Sequence, residues 1–202
     1  MKDHIKAFKK DGYCLVKSAI STELRDFVTQ YALFDEMQTL EFGDPQVPSA
    51  HSKYADPAME TMLLHLQKTI EDATGLSLFP TYSYYRVYRP GDELSPHKDR
   101  PSCEISATMC FNYSYDANKF TWPIYMDGVK IILDPGDLAV YRGCDLMHWR
   151  DEFVEPEENS WHVQGFFHFV DVNGPHSNCK YDGRSTIGEK LNKHPKSYVT
   201  LL

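Results

Sequence analysis

A histidine and an aspartate stand two residues apart in the segment 84–113, which reads YYRVYRPGDELSPHKDRPSCEISATMCFNY. His97 and Asp99 follow a glycine-containing turn that runs into a predicted strand, and residues i and i+2 of a strand face the same side. The pair could therefore aim an imidazole and a carboxylate at one point. Two roles fit, namely half of a metal site or an ion pair on a sheet surface. A tripeptide of this kind also arises by chance, so its neighbours must decide between them.

A possible third ligand, His148, follows much later in the chain. It comes after a Pro-Gly-Asp turn and the predicted strand LAVYRG. Two histidines and one carboxylate form the facial triad of non-haem Fe(II) oxygenases, which leaves the other coordination positions open. The motif thus indicates an open metal site, whereas a thiolate-rich site would be closed.

The first 80 residues are predicted to be largely helical. Helical spacing of apolar residues predicts helices over 21–37, capped by Ser21 or Thr22, and over 56–75, capped by Asp56. A polar, proline-rich loop is predicted between them at 43–55. Ahead of both, KAFKKDGYCLVKSAIS predicts a short helix, a turn at Gly12 and a strand.

After residue 80 the chain is typical of strands. The segments rich in β-branched and aromatic residues are TYSYYRVYR, CEISATMCFNY, TWPIYMDG, VKIIL, DLAVYRG and SWHVQGFFHFVDV, and turn signals separate them. Many short antiparallel strands predict a two-sheet jelly roll or a barrel. We expect a single domain over 1–202, mainly β with flanking helices: a helical support (1–80), a core (81–173) and a carboxy-terminal extension (174–202).

Composition excludes several function classes. A net charge of −8 argues against a broad phosphate-binding face and hence against a nucleic-acid partner. The basic run EKLNKHPK is interpreted as a solvated tail. No apolar run approaches the ~20 residues that span a bilayer, and the start lacks an apolar signal core. The five cysteines contain no Cys-x-x-Cys, which predicts reduced thiols in a cytoplasmic protein. The oligomeric state stays open.

In the order of these motifs the sequence resembles the Fe(II)- and 2-oxoglutarate-dependent dioxygenases, especially the prolyl-hydroxylase-like and phytanoyl-type members. Residues 82–171 contain Tyr-x-Pro-Gly, His-x-Asp, a central strand ending in Asn, a Pro-Gly-Asp turn, a distal His and a final aromatic strand ending in Asp. The opening FKKDGYCLVKSAISTEL looks like the phytanoyl-type amino terminus.

The resemblance implies a double-stranded β-helix core with Fe(II) on His97, Asp99 and His148, and with 2-oxoglutarate and O₂ as co-substrates. The implied reaction is hydroxylation of an unactivated C–H bond in a small molecule or peptide, with release of succinate and CO₂. The resemblance argues against a halogenase, because in that variant of the family a small residue stands at the position that Asp99 occupies here.

The cation that pairs with the far carboxylate of 2-oxoglutarate departs from the family pattern. His162 stands where Arg or Lys is expected, and neither occurs between Arg150 and Lys180. Arg150 is the best substitute, because it lies two residues after His148 and offers a planar fork to a carboxylate. Arg86 is the second choice and Arg100 the third, with His162 assisting by hydrogen bonding. The alternative for Arg150 is an ion pair with a nearby acid: Asp151, Glu152 or Glu155.

Further pocket residues follow from the resemblance and from the two-residue period of strands. Tyr88 resembles the tyrosine that hydrogen-bonds the co-substrate, and Tyr84 and Arg86 share its face. On the final strand one face carries four residues: His162, Gln164, Phe166 and His168. Core packing is the preferred interpretation for Phe166.

Thr108 and Cys110 flank the site, and Cys110 either lines it or fills space. Arg100 is a further pocket candidate, and Cys144 is expected to pack.

Two rivals remain open. One is a non-catalytic jelly-roll module that keeps the metal or only the fold, and the missing final-strand Arg supports it. The other is a cupin-type iron oxygenase that does not use 2-oxoglutarate. The acidic loop DEFVEPEEN could favour a cationic or amine substrate, although such runs are usually only solvated. Fold and loops do not identify the substrate at this level.

Overall fold

The computed structural model of the chain describes residues 2–39, 43–154 and 159–189. Its helices are α1 (Lys2–Asp11), α2 (Thr22–Gln38) and α3 (Pro57–Thr74). Its strands are β1 (Tyr13–Val16), β2 (His51–Tyr54), β3 (Leu78–Tyr88), β4 (Leu94–His97), β5 (Ile105–Tyr113), β6 (Ile124–Met126), β7 (Val129–Ile131), β8 (Leu138–Arg142), β9 (His148–Arg150) and β10 (His162–Asp171). Short 3-10 turns lie at Pro101–Cys103 and Ser177–Gly183.

The strands form two antiparallel sheets, which confirms the predicted jelly roll with flanking helices. The larger sheet has the order β1-β8-β5-β10-β3-β2, and the smaller one has the order β4-β9-β6-β7. Strands that are distant in sequence are therefore neighbours, as expected of a jelly roll rather than of a simple meander.

The two helices predicted ahead of the core begin where their caps indicate. The Ser21 hydroxyl accepts a hydrogen bond from the Leu24 N–H, so Ser21 rather than Thr22 is the cap of α2. The Asp56 carboxylate accepts from the first turn of α3, and Gly75 ends that helix with φ at 74°. Local hydrogen bonding thus sets these boundaries.

The predicted loop at 43–55 is partly wrong, because its last residues form β2. This strand pairs with β3 at the edge of the larger sheet, with Ser52 opposite Arg86. The sequence of His51–Tyr54 has no alternation of apolar and polar residues, so its extended conformation depends on pairing with β3. The basic run at 189–196 lies outside the described residues except for Glu189.

Alternation along the strands divides the interior into two regions. One face of the larger sheet packs against the helices, for example through Tyr85, Val87 and Phe167. The residues that alternate with these along the strands, such as Tyr88 and Phe166, face the smaller sheet. This second region is lined with polar side chains as well as apolar ones, and it contains the candidate site. None of the described helices is both long and apolar enough to span a bilayer.

Candidate active site

The neighbouring strands β4 and β9 bring the two candidate histidine ligands together. His97 lies directly opposite His148 in the register, and their rings are 4.2 Å apart between centroids. An irregularity between Leu94 and His97 adds one residue to β4, and such bulges re-aim side chains near functional sites.

The prediction that one strand carries both His97 and Asp99 is wrong, because β4 ends at His97 and Asp99 lies beyond it. The segment is held in place because the Asp99 N–H donates to the Gly143 carbonyl at 2.9 Å. Oδ1 of Asp99 nevertheless lies 3.8 Å from His97 Nε2 and 3.6 Å from His148 Nε2. The ligand atoms of all three residues lie within 4.8 Å of one another. They are close enough to share one ion.

Both imidazoles are oriented by backbone carbonyls. Nδ1 of His97 lies 2.8 Å from the Ser95 carbonyl, and Nδ1 of His148 lies 3.0 Å from the Leu146 carbonyl. Because a carbonyl can only accept, each Nδ1 carries a proton, which leaves Nε2 as the ring nitrogen that can bind a metal. This is the tautomer that a metal-ligating histidine uses, with its outer nitrogen fixed by a second partner.

The charges of the cluster suit a divalent cation. Burial, assisted by His148, lowers the pKa of His97 to about 4, so its imidazole is neutral at pH 7. Burial alone would raise the pKa of Asp99, but His148 and the other nearby imidazoles hold that pKa below its ordinary value. The group is therefore ionised. A neutral imidazole and a carboxylate are the forms that bind metal.

A glycine near the cluster leaves room for the carboxylate. Gly143 follows β8, and a Cβ atom built there would collide with Asp99 Oδ2 and with the Cys103 carbonyl. Gly143 could not be recognised from the sequence as part of the site. The only signal was a glycine directly after a predicted strand, which is too common to be informative.

Arg150 is a buried cation without a carboxylate partner among the described residues. Its side chain is 1% exposed and lies over the Trp122 ring at 4.5 Å. Nη1 donates to the Trp122 carbonyl at 2.6 Å and Nη2 donates to Gln164 Oε1 at 3.1 Å, while Nε has no partner. Asp151 and Glu152 are exposed and do not pair with it, and Glu155 lies outside the described residues. Burial lowers the pKa of Arg150, a sign of how poorly the charge is compensated.

His162, expected to assist Arg150 in binding the co-substrate, contacts the same glutamine oxygen as Arg150 does. Its Nε2 is 2.7 Å from Gln164 Oε1, and its Nδ1 is 3.0 Å from the Tyr115 hydroxyl. Burial and then the charge of Arg150 hold the pKa of His162 well below its ordinary value, so the ring is neutral. Gln164 in turn donates to Thr108 Oγ1 at 2.5 Å. His162 and Thr108 therefore orient the amide that contacts Arg150.

The second-choice cation, Arg86, already has a counter-ion. Its Nη2 donates to Asp44 Oδ2 at 2.5 Å and to Gln46 Oε1 at 2.9 Å. Tyr84 donates to the same Asp44 oxygen at 2.7 Å, and the fully buried Tyr88 hydroxyl lies 3.4 Å from Arg86 Nη1. Three of the described arginines are buried, and of these only Arg150 lacks an ion pair within the described part of the chain, since Arg86 pairs with Asp44 and Arg184 with Glu60.

The remaining candidates lie around the edges of the cluster. Arg100, the third choice, forms a two-pronged ion pair with Asp182 at 2.6 and 2.7 Å. Cys110 on β5 is fully buried in a cluster with side chains of both sheets. Cys144 Sγ contacts the Arg100 carbonyl at 3.4 Å.

The two remaining candidates on the final strand, Phe166 and His168, have different surroundings. Phe166 packs with Tyr88 in the core between the sheets, as preferred from the sequence. His168 contacts Ser106, a residue next to the triad that the sequence analysis missed. Ser106 lies two residues before Thr108 on β5, so strand alternation could have found it.

Comparison with solved structures identifies the fold. The chain superposes on a prolyl-4-hydroxylase from Pseudomonas putida with a TM-score of 0.62 and 17% identity, over 82% of this chain and 97% of that one. An α-ketoglutarate-dependent carbocyclase of nogalamycin biosynthesis, SnoK, gives 0.64 and 13% over 96% and 94%. HygX from Streptomyces hygroscopicus, solved with nickel and 2-oxoglutarate bound, gives 0.59 and 11% over 83% and 87%.

No family model and no curated protein sequence matches the chain. At these identities the likeness establishes architecture. The chain has the jelly-roll fold of the Fe(II)- and 2-oxoglutarate-dependent oxygenases. Those neighbours include a hydroxylase and a carbocyclase, so one fold supports different reaction outcomes.

Proposed function

We propose that the protein is an Fe(II)- and 2-oxoglutarate-dependent oxygenase of this fold class. The observation that carries the proposal is Arg150, a buried guanidinium without a carboxylate partner in the described chain, on the strand that also holds His148. Leaving a charge uncompensated inside a protein is costly, so such a group indicates an anionic ligand.

The spacing between the triad and Arg150 suits a five-carbon dicarboxylate. His148 and Arg150 are both buried and lie two residues apart in β9, which places their backbones about 6–7 Å apart. A dicarboxylate whose keto-acid end lies at the triad could then present its other carboxylate to Arg150. A planar guanidinium fork matches that group in geometry and charge.

His97, Asp99 and His148 fit Fe(II) by donor type, since two imidazoles and one carboxylate are the facial-triad set. When bound there, Fe(II) would supply O₂ activation coupled to decarboxylation of 2-oxoglutarate. The chain itself would orient the co-substrate through Arg150 and Gln164. Trp122, which packs edge to face with Tyr88 and stacks on Phe153, would exclude water from that end together with these two rings.

Hydroxylation of a C–H bond in a small molecule or peptide is the proposed outcome, with release of succinate and CO₂. Tyr84, Arg86 and Phe166 would form part of the substrate wall, with Arg86 within electrostatic reach of His97. We propose that the protein acts in the cytoplasm, because its cysteines are free thiols. We propose no nucleic-acid partner, because the chain has a net charge of −8.

The decisive experiment is anaerobic addition of Fe(II) and then 2-oxoglutarate, followed by visible absorption. We expect a weak charge-transfer band that requires both additions, and succinate release once O₂ and a substrate are supplied. Iron binding without a band would favour the cupin-type alternative or a non-catalytic module that keeps the metal. Failure to bind iron at all would favour a non-catalytic module that keeps only the fold.

A further inference from the structure

One oxygen of the Asp99 carboxylate faces the two histidines, and the other is held away from them. Oδ1 is the atom close to both Nε2 atoms. Oδ2 accepts a hydrogen bond from Ser106 Oγ at 2.7 Å. Ser106 is fully buried on β5, so this contact is part of the interior.

The hydrogen-bond directions extend this contact to His168. Nδ1 of His168 lies 2.9 Å from Ser106 Oγ. A serine hydroxyl has a single proton, and an ionised carboxylate can only accept. Two acceptors compete for that proton, Asp99 Oδ2 at 2.7 Å and the Cys103 carbonyl at 3.1 Å, and the closer, ionised carboxylate is the stronger one. With either acceptor the serine proton is used, so His168 donates from Nδ1 to the serine oxygen. The chain of hydrogen bonds runs from His168 through Ser106 to Asp99.

His168 is itself fixed from the outer side. Its ring lies against Tyr82 with centroids 4.5 Å apart, and the Arg100 guanidinium covers the Tyr82 ring at 4.7 Å. Arg100 is in turn bound by Asp182 from the carboxy-terminal segment. Both ends of the hydrogen-bond chain are therefore restrained, which is the arrangement that keeps a metal ligand in one orientation.

We propose that Ser106 and His168 are positioning residues that restrict Asp99 to binding the metal through Oδ1 alone. A carboxylate that used both oxygens would occupy two of the six octahedral positions, and the co-substrate and O₂ together need three. Tying Oδ2 to Ser106 keeps the third of these positions open. This inference rests on the proposed function, because it assumes the metal and 2-oxoglutarate.

The test uses matched pairs of variants in the full chain. Ser106→Ala removes the donor to Oδ2, whereas Ser106→Thr keeps a hydroxyl. His168→Gln moves the amide beyond the Nδ1 position, whereas His168→Asn keeps an N–H near it. We expect Ser106→Ala and His168→Gln to weaken Fe(II) or 2-oxoglutarate binding by about 10–100-fold, the usual effect of losing such an outer partner. Ser106→Thr and His168→Asn should retain affinity within a few-fold of wild type.

The binding readouts are the anaerobic charge-transfer band and a 2-oxoglutarate titration. The visible spectrum of the Co(II)-loaded protein reports the surroundings of the metal. The melting temperature of the metal-free protein measures stability. The proposal is supported if the Co(II) spectrum shifts in Ser106→Ala and His168→Gln, which remove the hydrogen bonds. The spectrum should not shift in Ser106→Thr and His168→Asn, which keep them. Equal spectra and 2-oxoglutarate affinities in all four variants overturn it, even if melting temperatures fall, because packing alone would then explain the contacts. If Ser106→Ala does not fold, the His168 pair decides alone. Absence of the band in wild type would instead refute the proposed function.

Discussion

Arg150 donates to the side-chain amide of Gln164 at 3.1 Å, whereas Arg86, opposite Gln164 across β3 and β10, is bound by the carboxylate of Asp44. Arg150 and Arg86 thus lie next to the same glutamine, but only the charge of Arg86 is compensated by a carboxylate. An amide can orient a guanidinium without neutralising it, which leaves Arg150 the stronger site for an added anion.

The first prediction concerns the metal. Replacing His97 or Asp99 by Ala should abolish Fe(II) binding, since each removes one of only three ligands. Anaerobic equilibrium dialysis with metal analysis measures this, and His65→Ala on the exposed face of α3 is the matched control. Unchanged stoichiometric affinity in both triad variants would refute the triad.

The second prediction concerns the anchor. Arg150→Lys should weaken 2-oxoglutarate binding while leaving Fe(II) affinity nearly intact, because Lys keeps the charge but loses the fork. Arg150→Ala should cost more, about 2–5 kcal/mol of binding free energy if the pair is buried. Arg86→Lys should cost less than Arg150→Lys. A complex with the far carboxylate on Arg86 or Arg100 would contradict the assignment.

The third prediction concerns pH and stability. Burial lowers the pKa of His162 in the folded state, whereas in the unfolded chain it is ordinary, near 6.5. Below that pH the unfolded state binds a proton that the folded state excludes, so the free energy of unfolding must fall as the pH falls. His162→Gln should flatten this dependence by up to ~1.4 kcal/mol per pH unit below pH 6.5.

Denaturant unfolding of the metal-free protein at pH 7.5, 6 and 5 measures this slope, with the exposed His65→Gln as control. Identical slopes in wild type and His162→Gln would show that His162 is not held neutral. Because the ring is neutral already, any contribution of His162 to 2-oxoglutarate affinity should not grow between pH 8 and 6.5.

The fourth prediction concerns the carboxy-terminal segment. Arg184 forms an ion pair with Glu60 at 2.8 Å, and their side chains are 0% and 2% exposed. Arg184→Ala should destabilise the fold by about 3–5 kcal/mol, because it leaves Glu60 buried and unpaired. The exposed i,i+4 pair of Lys68 and Asp72 is the control, and Lys68→Ala should cost about 0.5 kcal/mol or less. Similar losses in the two variants, by thermal and denaturant unfolding, would argue against a structural role for the buried pair.

The fifth prediction concerns the cysteines. All five are free in the structure, three of them buried: Cys14, Cys103 and Cys110. Thiol titration of the denatured, non-reduced protein should find close to five free groups. Two stable disulfides would overturn the expectation of a reducing compartment.

Much of the fold could be predicted from the sequence, because its signals are local. Ser21, Asp56 and Gly75 act on backbone groups within one helical turn, and β10 forms from one unbroken run rich in aromatic and β-branched residues. β2 escaped prediction because its extended form depends on hydrogen bonds to β3 rather than on its own residues. The strand expected to continue through Asp99 ends at His97, since Asp99 bonds to the loop at Gly143 instead.

The sequence by itself determined which residues could supply the chemistry: two histidines, one carboxylate and an arginine two residues after the second histidine. Residue type and spacing along one strand are properties of the chain alone. Only the tertiary structure decided that Arg150 lacks a carboxylate partner in the described chain while Arg86 and Arg100 have theirs. Their partners, Asp44 and Asp182, come from segments far away in sequence. Charge compensation inside a protein depends on distance in space, and no local pattern carries that information.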